Sequence, residues 1–217
     1  MLATLNSMAE ITFRTVAVSG AATALAVLVG VPIGYAVARG NFRGRTLVLS
    51  VINTGMGMPP VVVGLVVWLL LVRTGPFGGL DLIYTRRALV LAQFVIATPI
   101  VIGFTAASFQ ALPPGLRDLL VLLGAGRVRT MWVLASEARL GVLAAVMAAF
   151  GAIVSEVGAS MVVGGNLERS TRVLTTAIVT ETSRGEIERA LVLGLVLLAL
   201  SFAVNLILTV VQQRQRA

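Results

Sequence analysis

Five uninterrupted apolar runs divide this chain: Thr15 to Ala38, Leu47 to Val72, Ala88 to Ala111, Leu140 to Val163 and Ala190 to Val211. They hold 24, 26, 24, 24 and 22 residues, and about 20 are enough to cross roughly 30 Å of hydrocarbon. Lipid offers no water to peptide N–H and C=O groups, so each run is predicted to be an α-helix that satisfies its own backbone. Glu156 is the only charge inside any of the five. With 58% hydrophobic and 12% charged residues among 217, the chain reads as a single all-α integral membrane domain over 1–217. The opening MLATLNSMAEITF has no basic region ahead of its apolar run, and that run is longer than a signal-peptide core. The first run is therefore read as a retained span.

Absent residue types exclude much chemistry. The chain has no Lys, hence no P-loop lysine, and ATP-driven work would need a partner subunit. It has no His or Cys, which removes zinc-peptidase motifs, haem and iron–sulfur ligation, and Cys-His or Ser-His nucleophilic pairs. Lysine-linked retinal is excluded as well. The net charge of +8 rests on arginines in loops and tails, a pattern suited to topology and to contact with anionic headgroups or partners rather than to nucleic acid. Nine arginines fall in the loops Gly40 to Thr46 and Leu112 to Arg139, the C-terminal tail with Arg214 and Arg216, and Arg39 at the first loop's edge. Eight lie on the other side, a difference that leans only slightly toward an outside N-terminus.

Pro113 to Arg139 is too charged for lipid. It reads as two short helices hinged at Gly124-Ala125-Gly126, an element through which a partner could push on the attached spans. The second run is interrupted at Asn53-Thr54-Gly55-Met56-Gly57-Met58-Pro59-Pro60. Discontinuous spans tend to line cavities, where freed backbone groups find protein or water; a plain proline kink is the other reading. Glu156 lies about 10 Å from the Val163 end of its run and is either a functional intramembrane ion or one held by an interhelical hydrogen bond or a loop arginine. Gly158, Ala159 and Ser160 beside it permit close helix approach in either case. The loop Gly164 to Arg189 balances four Glu against four Arg and carries the short apolar Val173 to Val179. That stretch is predicted to form a helix at a cavity mouth, the alternative being a solvated connector. No internal repeat or low-complexity tract is apparent.

In this order of elements the chain resembles the membrane subunit of bacterial and archaeal ABC importers of the molybdate, tungstate and sulfate type. The family's cytoplasmic signature is Glu-Ala-Ala, three residues, Gly, nine residues, then Ile-x-Leu-Pro. Here Asp118-Leu119-Leu120 stands for Glu-Ala-Ala, Gly124 falls at the matching spacing and Leu134 matches the Ile, while Ser136-Glu137 replaces Leu-Pro. Met58 to Leu65 resembles the second core helix of oxyanion permeases, and Glu156-Val157-Gly158-Ala159 with Gly164-Gly165-Asn166 the fourth. The Asn53 to Pro60 stretch, Leu82-Ile83-Tyr84-Thr85 with Gln93, and Ser136-Glu137-Ala138-Arg139 look most like the tungstate branch.

The resemblance implies a type I importer core. Two permease copies would enclose one pathway in the cell membrane, two ATPase subunits would use ATP and Mg inside, and an extracytoplasmic binding protein would deliver the anion, with molybdate or sulfate as alternatives. It implies an outside N-terminus and a cytoplasmic C-terminus. Asp118, Leu119, Leu120, Gly124, Ala125 and Gly126 would couple to the ATPase, the two glycines permitting the sharp turn. Because carboxylates repel a dianion, the expected pathway liners are Asn53, Thr54, Gly55, Gly57, Pro59 and Pro60 of the broken span, with Ser160, Gly164, Gly165 and Asn166. Glu156 is then a structural or gating ion, and no metal or resident cofactor is expected. A rival from another class is an ATPase-independent membrane enzyme or assembly factor using Glu156 and Asp81, poor equipment because intramembrane aspartyl chemistry wants two acids together.

Overall fold

The computed structural model describes residues 2–214; Arg216 of the tail lies outside them. The helices are α1 (Leu2–Arg39), α2 (Arg45–Met56), α3 (Pro60–Leu71), α4 (Arg86–Gln110), α5 (Leu116–Leu122), α6 (Arg127–Glu137), α7 (Arg139–Val154), α8 (Gly158–Gly164), α9 (Leu174–Ser183) and α10 (Ile187–Arg214). A 3-10 turn, Gly78–Leu80, lies between α3 and α4. Among the described residues the chain is all-α, as the apolar runs require.

Helix α4 is the hub, touched by α1, α2, α3, α7 and α8. Its closest partner is α1, and small residues explain why. Ala22, Ala26, Gly30 and Gly34 recur every four residues, which puts them on one face of α1. Ala22 and Ala26 are fully buried. A Cβ on Gly30 would stand 2.8 Å from Val101 Cγ1, and one on Gly34 would stand 2.8 Å from the Ile102 carbonyl oxygen. The α4 surface is equally lean, with Ala88, Ala92 and Ala97 buried. Lipid supplies no hydrophobic drive between helices, so packing of this kind is what holds them. Gly141 of α7 lies against Ser108, and Gly55 of α2 against Pro99.

Three of the apolar runs differ from single straight helices of the same bounds. Helix α1 extends beyond the first run, beginning at Leu2 and running about 57 Å in all. The second run is not one kinked rod, because α2 and α3 meet at 101°. Each is about 18 Å long, so the helical parts together rise at most about 23 Å, short of the hydrocarbon thickness. Pro59 and Pro60 cause the break, for they cannot donate the N–H groups that the Gly55 and Met56 carbonyls would receive. The fourth run is also discontinuous. Helix α7 ends at Val154, and α8 restarts at Gly158 after Ser155-Glu156-Val157.

The two short helices beyond these breaks pack on each other. A Cβ on Gly64 of α3 would fall 2.5 Å from Ala159 Cα of α8, and Gly158 is pressed against Val61. The long loop contains the expected short helix, α9, whose Leu174 and Ala177 pack with Leu193 of α10. Helix α10 leaves most of its apolar surface uncovered, from Leu191 and Leu195 to Phe202 and Ile207.

The seam makes a prediction. Gly34→Val is expected to cost about 1–3 kcal/mol by overpacking, read as a lowered unfolding temperature in detergent. Gly194→Val, where a Cβ meets nothing within 4 Å, is expected to leave that temperature unchanged. Equal effects would remove the seam from its structural role.

Candidate functional site

The charged segment between α4 and α7 is a capped helix-turn-helix. Helix α5 ends with Gly124 at φ +78, and its last carbonyls are closed by Gly124 N–H to the Val121 oxygen and Ala125 N–H to the Leu120 oxygen, both 2.9 Å. This is the paired bond pattern of a glycine-terminated helix, in which only glycine takes the left-handed position without strain. Gly126 is different: at φ −65 and ψ 165 it is extended backbone leading into α6, so the expectation that both glycines make the turn holds for Gly124 alone. Asp118 lies in the first turn of α5, where its charge suits the helix dipole.

One side of this element is anchored and the other is bare. Leu134 is fully buried with Phe109 and Ala138, and Tyr35, Leu112, Leu116 and Leu120 pack around them. Tyr35 of α1 and Phe109 of α4 meet edge to face at 4.9 Å. Outward stand Leu122 at 84% exposure, Leu123 at 75% and Trp132 at 71%, with Leu119, Val121 and Val128. Of the Asp118-Leu119-Leu120 triplet, then, Leu119 faces outward and Leu120 inward. A contiguous exposed apolar ridge of this kind marks a binding surface.

The expected pathway residues do not share one surface. Asn53, Thr54, Gly57 and Pro59 are exposed at the bend of the second run, with Pro60 partly buried. A Cβ at Gly57 would have only the Thr54 oxygen near it, at 3.9 Å. Gly55 turns toward Pro99. Ser160 is 2% exposed, its Oγ without a partner. Gly164 is buried against Leu89 and Thr171, and Gly165 at φ +65 rests on the Tyr84 ring. The Asn166 amide is spent structurally, donating to Thr180 Oγ1 at 2.6 Å while its oxygen accepts from Arg172 Nε at 3.3 Å.

Glu156 occupies the break before α8. Its Oε1 accepts from the Ala159 N–H at 2.9 Å, so the carboxylate caps the start of that helix. Its own carbonyl accepts from Thr175 Oγ1 at 2.9 Å. Sequence alone offers a loop arginine or an interhelical bond as its partner. The carboxylate contact is instead to its own stretch of backbone, and the link to another helix runs through the main chain.

A bonded strap across this end is not legible from the sequence. Thr171 Oγ1 donates to the Gly164 oxygen and accepts from the Leu167 N–H. Leu174 N–H donates to Thr15 Oγ1 at 2.9 Å, Arg14 Nη1 to the Arg172 oxygen at 2.9 Å, and Arg86 Nε to the Ser170 oxygen at 3.0 Å. The last three bonds join segments more than eighty residues apart, and no local spacing announces them. Asp81, the second acid of the enzyme reading, sits in a turn at φ 47 after Gly78–Leu80.

Two broken spans packed on a central helix, with an exposed helix-turn-helix at one end, match the architecture of a membrane permease core. Residues 30–217 match the family of binding-protein-dependent transport system inner membrane components, and the chain belongs to it. It is thus a multi-pass inner-membrane subunit that works with an ATPase and a binding protein. It is 42% identical over 206 residues to a probable anion ABC transporter permease protein of Haloferax volcanii, covering 93% of this chain and 89% of the relative. It is 37% identical over 203 residues to the tungstate uptake system permease protein TupB of Peptoclostridium acidaminophilum, covering 94% and 89%. Among solved structures, the crystal structure of an amino acid ABC transporter with histidines matches with a TM-score of 0.71 at 18% identity, over 99% of this chain and 96% of that one. At that identity the likeness shows the fold, that of a type I importer.

The cap predicts unequal outcomes at Glu156. Glu156→Gln keeps an acceptor for the Ala159 N–H and is expected to retain stability, whereas Glu156→Ala is expected to lose about 1 kcal/mol. Thermal unfolding in detergent measures both; a Gln variant as weak as the Ala variant would show that the charge, not the cap, matters.

Proposed function

We propose that this chain is the membrane subunit of an ATP-driven importer of tungstate, two copies enclosing one pathway. The near-full-length likeness to a tungstate permease carries the substrate reading. In it, two partner ATPase subunits bind ATP and Mg, and an extracytoplasmic binding protein hands over the anion. The N-terminus lies outside and the C-terminus inside, so that the ridge of α5 and α6 meets the ATPase.

The geometry supports a route for the work. Closure of the ATPase dimer moves the ridge, and the Leu134 cluster passes that movement to Phe109 of α4 and Tyr35 of α1. Helix α6 continues into α7 through a 63° bend, so the same push tilts the span that leads to α8. A rigid-body rocking of this type needs only packed elements with two arrangements.

For the anion, the exposed bend of the second run offers neutral donors and bare backbone from Asn53, Thr54 and Gly57, with Pro59 and Pro60 shaping it. A dianion is stabilised by such dipoles and repelled by carboxylates. Ser160, Gly164, Gly165 and Asn166 act behind this surface, holding α8 and its turn. Molybdate and sulfate are the rival cargoes.

Uptake of labelled tungstate into vesicles containing the assembled transporter is expected, with sulfate a poor competitor. Gly57→Leu, for which the fold has room, should abolish uptake while leaving binding-protein docking intact. Sulfate outcompeting tungstate would overturn the substrate reading. Separately, Gly124→Val is expected to leave membrane levels normal and to remove stimulation of ATP hydrolysis by loaded binding protein. Single Cys residues at Arg86 or Arg172 are expected to react with an impermeant thiol reagent on intact cells and one at Arg127 to resist it; the reverse pattern would invert the proposed topology.

A further inference from the structure

At the end of the α1–α4 seam remote from the coupling element, a cavity of about 630 Å3 opens between α1, the start of α4 and the turn before it. Three arginines line it, Arg14, Arg86 and Arg87, and no acid does. Asp81 lies between two lining residues without lining it. Its other walls are apolar, among them Val18, Val90 and Leu91.

None of the three makes an ion pair among the described residues. Arg14 is only 5% exposed, and its buried Nε has no partner. Burial and the like charges on Arg86 and Arg172 press on it, and Glu10 partly opposes them. Arg14 and Arg86 each spend one donor on a backbone carbonyl, of Arg172 and Ser170. Arg87 is exposed, with no partner among the described residues.

The cavity is separate from the proposed pathway. At 100° per residue, Arg86, Arg87, Val90 and Leu91 centre about 130° around α4 from Leu89, the residue against which Gly164 of α8 rests. No residue of α2, α3, α7 or α8 lines it. The layering is that of an amphiphile site. Arg86 and Arg87 sit at the mouth of a span, and Val90 and Leu91 lie one turn, about 6 Å, further along α4. A dissolved oxyanion would leave those apolar walls wet, whereas a lipid phosphate with its chains would fill both layers.

We infer that this cavity binds the headgroup of an anionic phospholipid, its phosphate held by Arg14, Arg86 and Arg87 and its chains laid along Val18, Val90 and Leu91. The bound lipid offsets the buried Arg14 charge and seals the outer end of the seam that α4 depends on. The inference does not rest on which anion is transported.

Native mass spectrometry of the permease, extracted with its partner subunits, tests this with added phosphatidylglycerol, phosphatidylcholine or tungstate. Phosphatidylglycerol is expected to remain bound in preference to phosphatidylcholine, and tungstate not to displace it. Arg87→Gln, a change at a side chain with no partner among the described residues, is expected to lower phosphatidylglycerol retention about fivefold, the factor for one basic residue at an anionic surface. Arg73→Gln, outside the cavity, is expected to change nothing. Equal retention of the two lipids, full retention in Arg87→Gln, or equal losses in Arg87→Gln and Arg73→Gln would each overturn the inference. Displacement by tungstate would make the cavity a site for the cargo instead.

Discussion

The core built around α4 depends on its contact with α1. Two helices approach this closely only where side chains are nearly absent, and Gly30 and Gly34 clear the way for Val101, Ile102 and Thr105. With that seam closed, α4 becomes a post against which the second run, α7 and α8 can lean. Each of those does so through its own small residue: Gly55 on Pro99, Gly141 on Ser108, Gly164 on Leu89.

The two breaks are best understood together. A chain that crosses lipid without interruption satisfies its backbone and has nothing left to offer a polar solute. This protein interrupts two of its spans and places the halves beyond the breaks, α3 and α8, against each other through Gly64 and Ala159. The interruptions are made differently. Two prolines stop α2, while a carboxylate restarts α8 by accepting the Ala159 N–H. The consequence is a pair of short helices fixed to α4 on one side, next to a bend whose Asn53, Thr54 and Gly57 are bare.

Features that depend on local chemistry are legible in the sequence. The apolar runs locate the long helical stretches, Pro59-Pro60 marks the first break, and Gly124 marks the turn that ends α5. The second break is harder to read, although Ser155-Glu156-Val157-Gly158 mixes polar and small residues much as Asn53 to Gly57 does; without a proline the signal is weak. The 101° angle is unreadable because proline dictates that a helix ends, not where the next one points. Sequence puts Ser160 and Gly164 on the pathway, whereas both are buried, Gly164 by packing on Leu89 some seventy residues away. The long-range strap through Thr15, Arg14 and Arg86 leaves no periodic trace, because single side chains bonding to distant backbone have none. Gly126 resembles a turn residue by proximity to Gly124, and only the backbone angles separate the two.

In the proposed importer the ATPase grips the outward ridge of α5 and α6, and the inward face of the same helices passes the force on. The native chain has no Cys, so single cysteines report cleanly. Disulfide trapping to single-cysteine variants along the partner ATPase's membrane-facing groove should capture a Cys at Leu122 in high yield, with the yield changing between nucleotide-free and ATP-bound states. A Cys at Leu120, two residues away on the packed face, should stay free. Capture at Leu120 as readily as at Leu122, or none at Leu122 in any state, would place the ATPase contact elsewhere.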